Sequence, residues 1–145
     1  MRLEMKRKYY FIILFLILAI FLSGCAGGGI VTPATDEAKI KTVINDFCSA
    51  VNDQNWSKAE SYCIYGSDEY LGVSQVESLV NNMYSYCNII TINYIPNVLN
   101  VSISGNYAQA YTYLSFIASC DGTFESNNNY VTFRLQKIGN TWKLY

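Results

Sequence analysis

The sequence predicts an α+β domain in which three N-terminal helices pack on one side of a curved antiparallel sheet. Three observations carry this. From residue 36 to about 86, apolar residues recur at three- and four-residue steps, the period of a helix face. After Cys87 the chain becomes rich in β-branched and aromatic residues, and the recurrence changes to every second residue. Short turn signals, Ser104-Gly105-Asn106 and Gly139-Asn140, separate the later runs. Helices first and strands afterwards describe segregated layers rather than an alternating β-α-β chain.

The first helix is read from Ile40, Val43, Ile44, Phe47 and Val51, which form one stripe. Thr35 is the expected N-cap, with Asp36 and Glu37 in the first turn. The run 52–55 breaks the pattern. A short second helix follows over 56–63, with Ser57 and Glu60 at capping-box spacing. Residues 66–70 read as a loop. A third helix spans 73–86, entered near Ser74, with Val76, Leu79, Val80 and Met83 on one side. Strands are expected over 89–95 and 98–104, with a bulge or edge at Pro96-Asn97. Residues 107–120 alternate: Ala108, Ala110, Thr112, Leu114, Phe116 and Ala118 share one face, and Tyr107, Gln109, Tyr111, Tyr113 and Ser115 the other. Residues 121–129 read as a polar loop. Strands over 129–138 and 141–145 complete the chain. No internal repeat is present.

Three segments precede or compose this domain. Arg2, Lys6, Arg7 and Lys8 open a leader, and residues 9–22 are an unbroken apolar run. That run has signal-peptide length and is short for a membrane span. It ends in Leu22-Ser23-Gly24-Cys25, which resembles the lipobox of prokaryotic lipoproteins. The resemblance implies diacylglyceryl attachment at Cys25, palmitate-type acylation, cleavage before that residue, and an extracytoplasmic protein anchored to the cell membrane. Two acyl chains suffice for stable anchoring. The alternative is an uncleaved membrane helix. Residues 1–24 are thus read as signal peptide, 25–35 as lipidated Cys and flexible Gly-rich tether, and 36–145 as the folded domain.

Removing the leader leaves 121 residues, one domain's worth. They keep six basic and ten acidic residues, a formal charge of −4. No basic patch remains for nucleic acid. The chain has no His, which removes the commonest general base and metal ligand. Cys48, Cys63, Cys87 and Cys120 lie 15, 24 and 33 residues apart, spacings that do not suit a zinc site. No metal or cofactor is expected. An exported domain permits disulfides. A hairpin centred near Gly105 would bring Cys120 opposite about Ile90, close to Cys87. Cys48 and Cys63 flank the turn near Gln54. The expected bridges are Cys48–Cys63 and Cys87–Cys120, with other pairings and buried free thiols as alternatives. Asn55-Trp56-Ser57 and Asn100-Val101-Ser102 match the N-glycosylation pattern, a match that an Asn-rich chain produces by chance.

The text Val43-Ile44-Asn45-Asp46-Phe47-Cys48-Ser49-Ala50, the short helix after Asn55-Trp56, and the ending Phe133-Arg134-Leu135 … Gly139-Asn140-Thr141-Trp142-Lys143-Leu144 resemble the NTF2-like (cystatin-like) superfamily, with its SnoaL-like and ketosteroid-isomerase-like members. The resemblance implies a sheet curled into a cone, closed by the helices around a hollow. Enzymes and non-enzymes share that fold. No nucleophile elbow or phosphate loop is present, so a non-catalytic ligand-binding or protein-docking module is the expected function. The alternative is a small isomerase or hydrolase using a pocket carboxylate. For that, the resemblance implies a donor Tyr on the first helix, where Phe47 stands, and Asp68 or Glu69 near the position of a base. Tyr107, Tyr111 and Tyr113 are candidates either for a pocket wall or for an outer sheet face, where they could support a homodimer.

Overall fold

The computed structural model describes residues 34–145. The leader, Cys25 and most of the tether lie outside the described residues. Three helices, α1 (Ala34–Asn52), α2 (Trp56–Ser61) and α3 (Asp68–Met83), precede four strands, β1 (Ile90–Ser104), β2 (Tyr107–Cys120), β3 (Thr123–Ile138) and β4 (Thr141–Leu144). The strands form one antiparallel sheet in the order β1-β2-β3-β4. The predicted α+β architecture is the observed one.

In α1, Ile40, Ile44, Cys48 and Val51 are buried, and Val43 and Phe47 pack beside them. That is the expected stripe. The helix starts at Ala34, so Thr35 lies in its first turn rather than capping it. Gln54 takes a left-handed φ of 54°, and Asn55 N–H donates to Ala50 O at 2.9 Å, which stops α1 and reverses the chain. The cap of α2 is Asn55, whose side chain accepts from Lys58 N–H at 3.2 Å. Ser57 sits inside the helix, so the Ser57–Glu60 capping box is not formed. Glu60 instead accepts from Ser74 Oγ at 3.2 Å, which ties α2 to α3.

The third helix begins at Asp68, six residues before the expected entry near Ser74. Ser67 caps it, accepting from Tyr70 N–H at 3.2 Å, and Asp68 and Glu69 fill the first turn, where carboxylates suit the helix dipole. The loop expected over 66–70 therefore ends at Ser67, and Gly72 is a buried helical residue.

The sheet obeys the predicted alternation. Ala108, Ala110, Thr112, Leu114, Phe116 and Ala118 are all buried. Ile90 pairs with Cys120, as the hairpin register requires. The bulge falls at Leu99, between Val98 and Asn100, not at Pro96, which pairs with Leu114 on edge strand β1. The largest correction concerns residues 121–129. They are not a loop. Asp121 and Gly122, with φ of 49° and 82°, make a two-residue turn, and β3 starts at Thr123. Left-handed φ at both turn residues gives the twist a tight hairpin needs. β4 pairs only with residues 135–138, so among the described residues no strand lies on the outer side of residues 124–133 of β3.

Cys87 and Cys120 form a disulfide with a Cα separation of 5.5 Å, as expected. Cys48 and Cys63 do not; both are buried free thiols. Cys48 faces the interior between helix and sheet. Cys63 lies beyond the end of α2, where a parallel bridge joins it to Leu144, with Ile64 N–H donating to Leu144 O at 2.7 Å. The chain leaves the helical hairpin before Cys63, and this breaks the symmetry on which the Cys48–Cys63 expectation rested.

Beneath the sheet, Trp142, Leu135 and Leu144 pack with Ile40, Ile44, Val80 and Met83 in a continuous apolar core.

Candidate functional site

A cavity of about 70 Å³ lies between α1, α3 and the inner face of the sheet. Phe47, Cys48 and Val51 come from α1, at the helical spacing that puts them on one side. From α3 come Glu69, Gly72, Val73 and Val76, one turn apart. The sheet adds Tyr94, Leu114, Val131, Thr132 and Phe133. Phe47 and Phe133 are half-buried and meet edge to face at 6.4 Å, marking the open side. Tyr94 is buried against Phe116 at a ring separation of 4.8 Å. The hollow is smaller than the roughly 150 Å³ apolar cavity that admits benzene.

Glu69 is the one charged group in this wall, and it is 6 % exposed. Burial raises its pKa above the ordinary 4.5; a hydrogen bond with its own backbone and the charge of Arg134 pull the other way, and Asp68 adds to the rise. Among the described residues its buried Oε2 has no hydrogen-bond partner. Asp68, one residue earlier, points outward: its side chain is 80 % exposed, 3.9 Å from Arg134. Of the two carboxylates considered from the sequence, the structure therefore selects Glu69. Helix phase decides this, and that phase was not legible while residues 66–70 read as loop.

Asp68 and Glu69 share the helix turn capped by Ser67, but Tyr94 is set from elsewhere. The Asn52 side chain grips its backbone: Tyr94 N–H donates to Asn52 Oδ1 at 2.6 Å and Asn52 Nδ2 donates to Tyr94 O at 3.0 Å. One side chain thus imitates a neighbouring strand along the edge of β1. Gln54 repeats the contact at Ile90 O, 3.3 Å away. Asn52→Ala should cost about 1–2 kcal/mol through these unmet backbone groups. Urea denaturation measures it, and a loss below about 0.3 kcal/mol would show the clip to be idle.

The thiol of Cys48 is pushed up to about 12 by burial, so it is an apolar wall group and not a nucleophile. Burial does the same to Cys63, also to about 12. Burial raises the Tyr94 phenol above its ordinary range. Among the described residues, no group of three or more His, Cys, Asp or Glu is placed to hold a metal ion.

No family model matches the chain, and no curated protein does. Solved structures do match in shape. A protein of unknown function with a cystatin-like fold from Nostoc punctiforme superposes with a TM-score of 0.58 at 12% identity, covering 79% of this chain and 90% of that one. A candidate dehydratase of the NTF2-like family from Streptomyces avermitilis gives 0.62 at 13%, covering 79% and 94%. A ketosteroid isomerase-like protein from Erwinia carotovora gives 0.55 at 13%, covering 74% and 88%. The chain has the NTF2-like fold. At these identities the likeness establishes the fold and nothing about activity.

Within the NTF2-like cone, Phe47 lines the cavity and offers no donor. Tyr94, Gly72 and Thr132 were not singled out by the sequence; Tyr94 reads there as one more residue of a β-branched strand. Tyr107, Tyr111 and Tyr113 do not line the cavity. They lie on the outer face of the sheet, with Tyr107 52 % and Tyr111 44 % exposed. Tyr111 stacks on Tyr130 at 5.4 Å with planes 4° apart, and Tyr107 meets Tyr145 at 5.9 Å.

The raised pKa of Glu69 has a sign that can be tested. Below about pH 4.5 both folded and unfolded chains hold the proton, and the contribution to stability is full. As pH rises, the unfolded chain releases its proton first, and that stability is lost progressively until pH has risen through the folded value. Glu69→Gln should therefore gain stability relative to the parent between pH 4 and pH 8. Urea midpoints at both pH values test this; an unchanged difference would mean the carboxyl is not desolvated.

Proposed function

We propose that this protein is a membrane-anchored, extracytoplasmic, non-catalytic binding module. A lipid on Cys25 holds it at the outer face of the cell membrane, and its NTF2-like cone binds a small apolar molecule. The observation that carries the binding reading is the cavity itself: an apolar wall interrupted by one buried carboxyl oxygen that has no partner among the described residues. Few polar groups in a mostly apolar hollow are the ordinary make-up of a ligand site. The lipobox-like Cys25 supports the anchor, and the exposed tyrosine face is a surface free for a protein partner or a second copy. Two measurements test the proposal. The protein purified in lipid nanodiscs should release a small apolar compound on denaturation, seen by mass spectrometry. Fatty-acid labelling should occur in the parent and vanish in Cys25→Ser; label retained by that variant would remove the anchor.

A second reading follows from Glu69 alone. A carboxyl with a raised pKa in an apolar hollow is suited to proton transfer. The protein would then be a small isomerase of the ketosteroid-isomerase-like kind. Glu69-dependent exchange of α-hydrogens of cyclopentanone with D2O would support it. Equal exchange by the parent and Glu69→Gln would dismiss it.

A further inference from the structure

Glu69 leaves the cavity with an unmet requirement whose chemistry can be read. The carboxyl group bonds its own backbone N–H, while among the described residues Oε2 is buried and without a partner. In its ionised form the group accepts hydrogen bonds and gives none. What completes that form must be an N–H or O–H from beyond the described residues.

Charge narrows the choice. No ion pair joins Glu69 to a cation among the described residues. Arg134, whose charge Glu69 feels, is held elsewhere: its guanidinium lies 3.9 Å from Asp68 and 5.6 Å over the ring of Tyr145. A hydroxyl would satisfy Oε2 but leave a buried charge without its opposite, and buried charges are normally paired. A second carboxylate would repel. An ammonium supplies both donor and charge, and a charge-assisted hydrogen bond is roughly twice as strong as a neutral one. Phe47, Phe133 and Tyr94 line the same cavity, and aromatic rings attract a desolvated cation.

We propose that the ligand of this cavity is a small apolar amine, with its ammonium against Glu69 Oε2 and its hydrocarbon body among Val51, Val73 and Leu114. This rests on the reading of the cavity as a ligand site. The volume of about 70 Å³ restricts the body to a few carbons.

The test is a methyl NMR titration of the protein in lipid nanodiscs with n-butylamine, n-butanol and butyrate, three probes of one size and different head groups. Butylamine is expected to shift the Val51, Val73 and Leu114 methyl signals saturably, at least tenfold more tightly than butanol, with no saturable shift from butyrate. In Glu69→Gln the amine should fall to within about threefold of butanol, the parent-like methyl spectrum confirming the fold. Butanol or butyrate binding the parent as tightly as butylamine would overturn the inference while leaving the cavity a ligand site. So would an undiminished amine preference in Glu69→Gln. No saturable shift with any probe would overturn the cavity reading and this inference together.

Discussion

Trp142→Ala should lower the stability of the domain by about 3–5 kcal/mol, the range for deleting a large buried aromatic. Trp142 is 1 % exposed and among the largest fully buried side chains. It sits on β4, a strand of only four residues, and fills the space between that strand and α1. Among the described residues its indole N–H makes no hydrogen bond of normal geometry, though it lies near enough to Asp36 to join Lys137, the main cause, in holding that carboxyl below its ordinary value. The loss is therefore one of packing. A domain of this size has roughly 5–15 kcal/mol in total, so the variant would lie near the threshold of folding. Urea denaturation followed by circular dichroism measures it. A loss under about 1 kcal/mol would mean that the core closes over the gap.

Breaking the Cys87–Cys120 bridge ranks next. The bridge closes a loop of sequence separation 33, for which the chain-entropy account gives about 3–4 kcal/mol. The doubly substituted Cys87→Ala, Cys120→Ala protein should lose about that amount by urea denaturation in the absence of reductant. Asp121 softens the effect locally, because its carboxylate accepts from Asn88 N–H and Ile89 N–H, both at 2.9 Å, and holds the same junction. Alkylation of the unfolded, unreduced parent should mark Cys48 and Cys63 and spare Cys87 and Cys120. A crosslinked Cys48–Cys63 peptide would contradict the structure.

Where the sequence was legible, a single physical pattern dominated. The two-residue alternation of β2 is strict because one side is buried and the other is not, so a one-residue slip would exchange the faces. From that strand and Gly105, the Ile90–Cys120 register and the Cys87–Cys120 bridge follow. Legibility failed where local chemistry and tertiary context disagree. Residues 125–129, Glu-Ser-Asn-Asn-Asn, have poor strand propensity, and only pairing with β2 makes them a strand. The start of α3 fell within residues 66–70, which read as loop, yet Ser67 had the chemistry of a cap. That error concealed the site, since the inward aim of Glu69 and outward aim of Asp68 depend on the helix reaching them. The Cys48–Cys63 expectation failed because a short helix has too little length to fix the azimuth of a residue beyond its end.

The unaccompanied outer side of β3 has a further consequence. An edge of free N–H and C=O groups is a template on which a foreign strand can add, and long apolar edges seed aggregation. Here, among the described residues, the uncovered length runs past β4 over residues 124–133, and it contains Glu125 followed by Ser126 and three asparagines. The residues that made this segment unreadable as a strand also make it a poor template for another. Weak intrinsic preference is tolerable because β2 supplies the pairing from one side. From the other side, the segment offers charge and short polar side chains in place of an adhesive apolar rail.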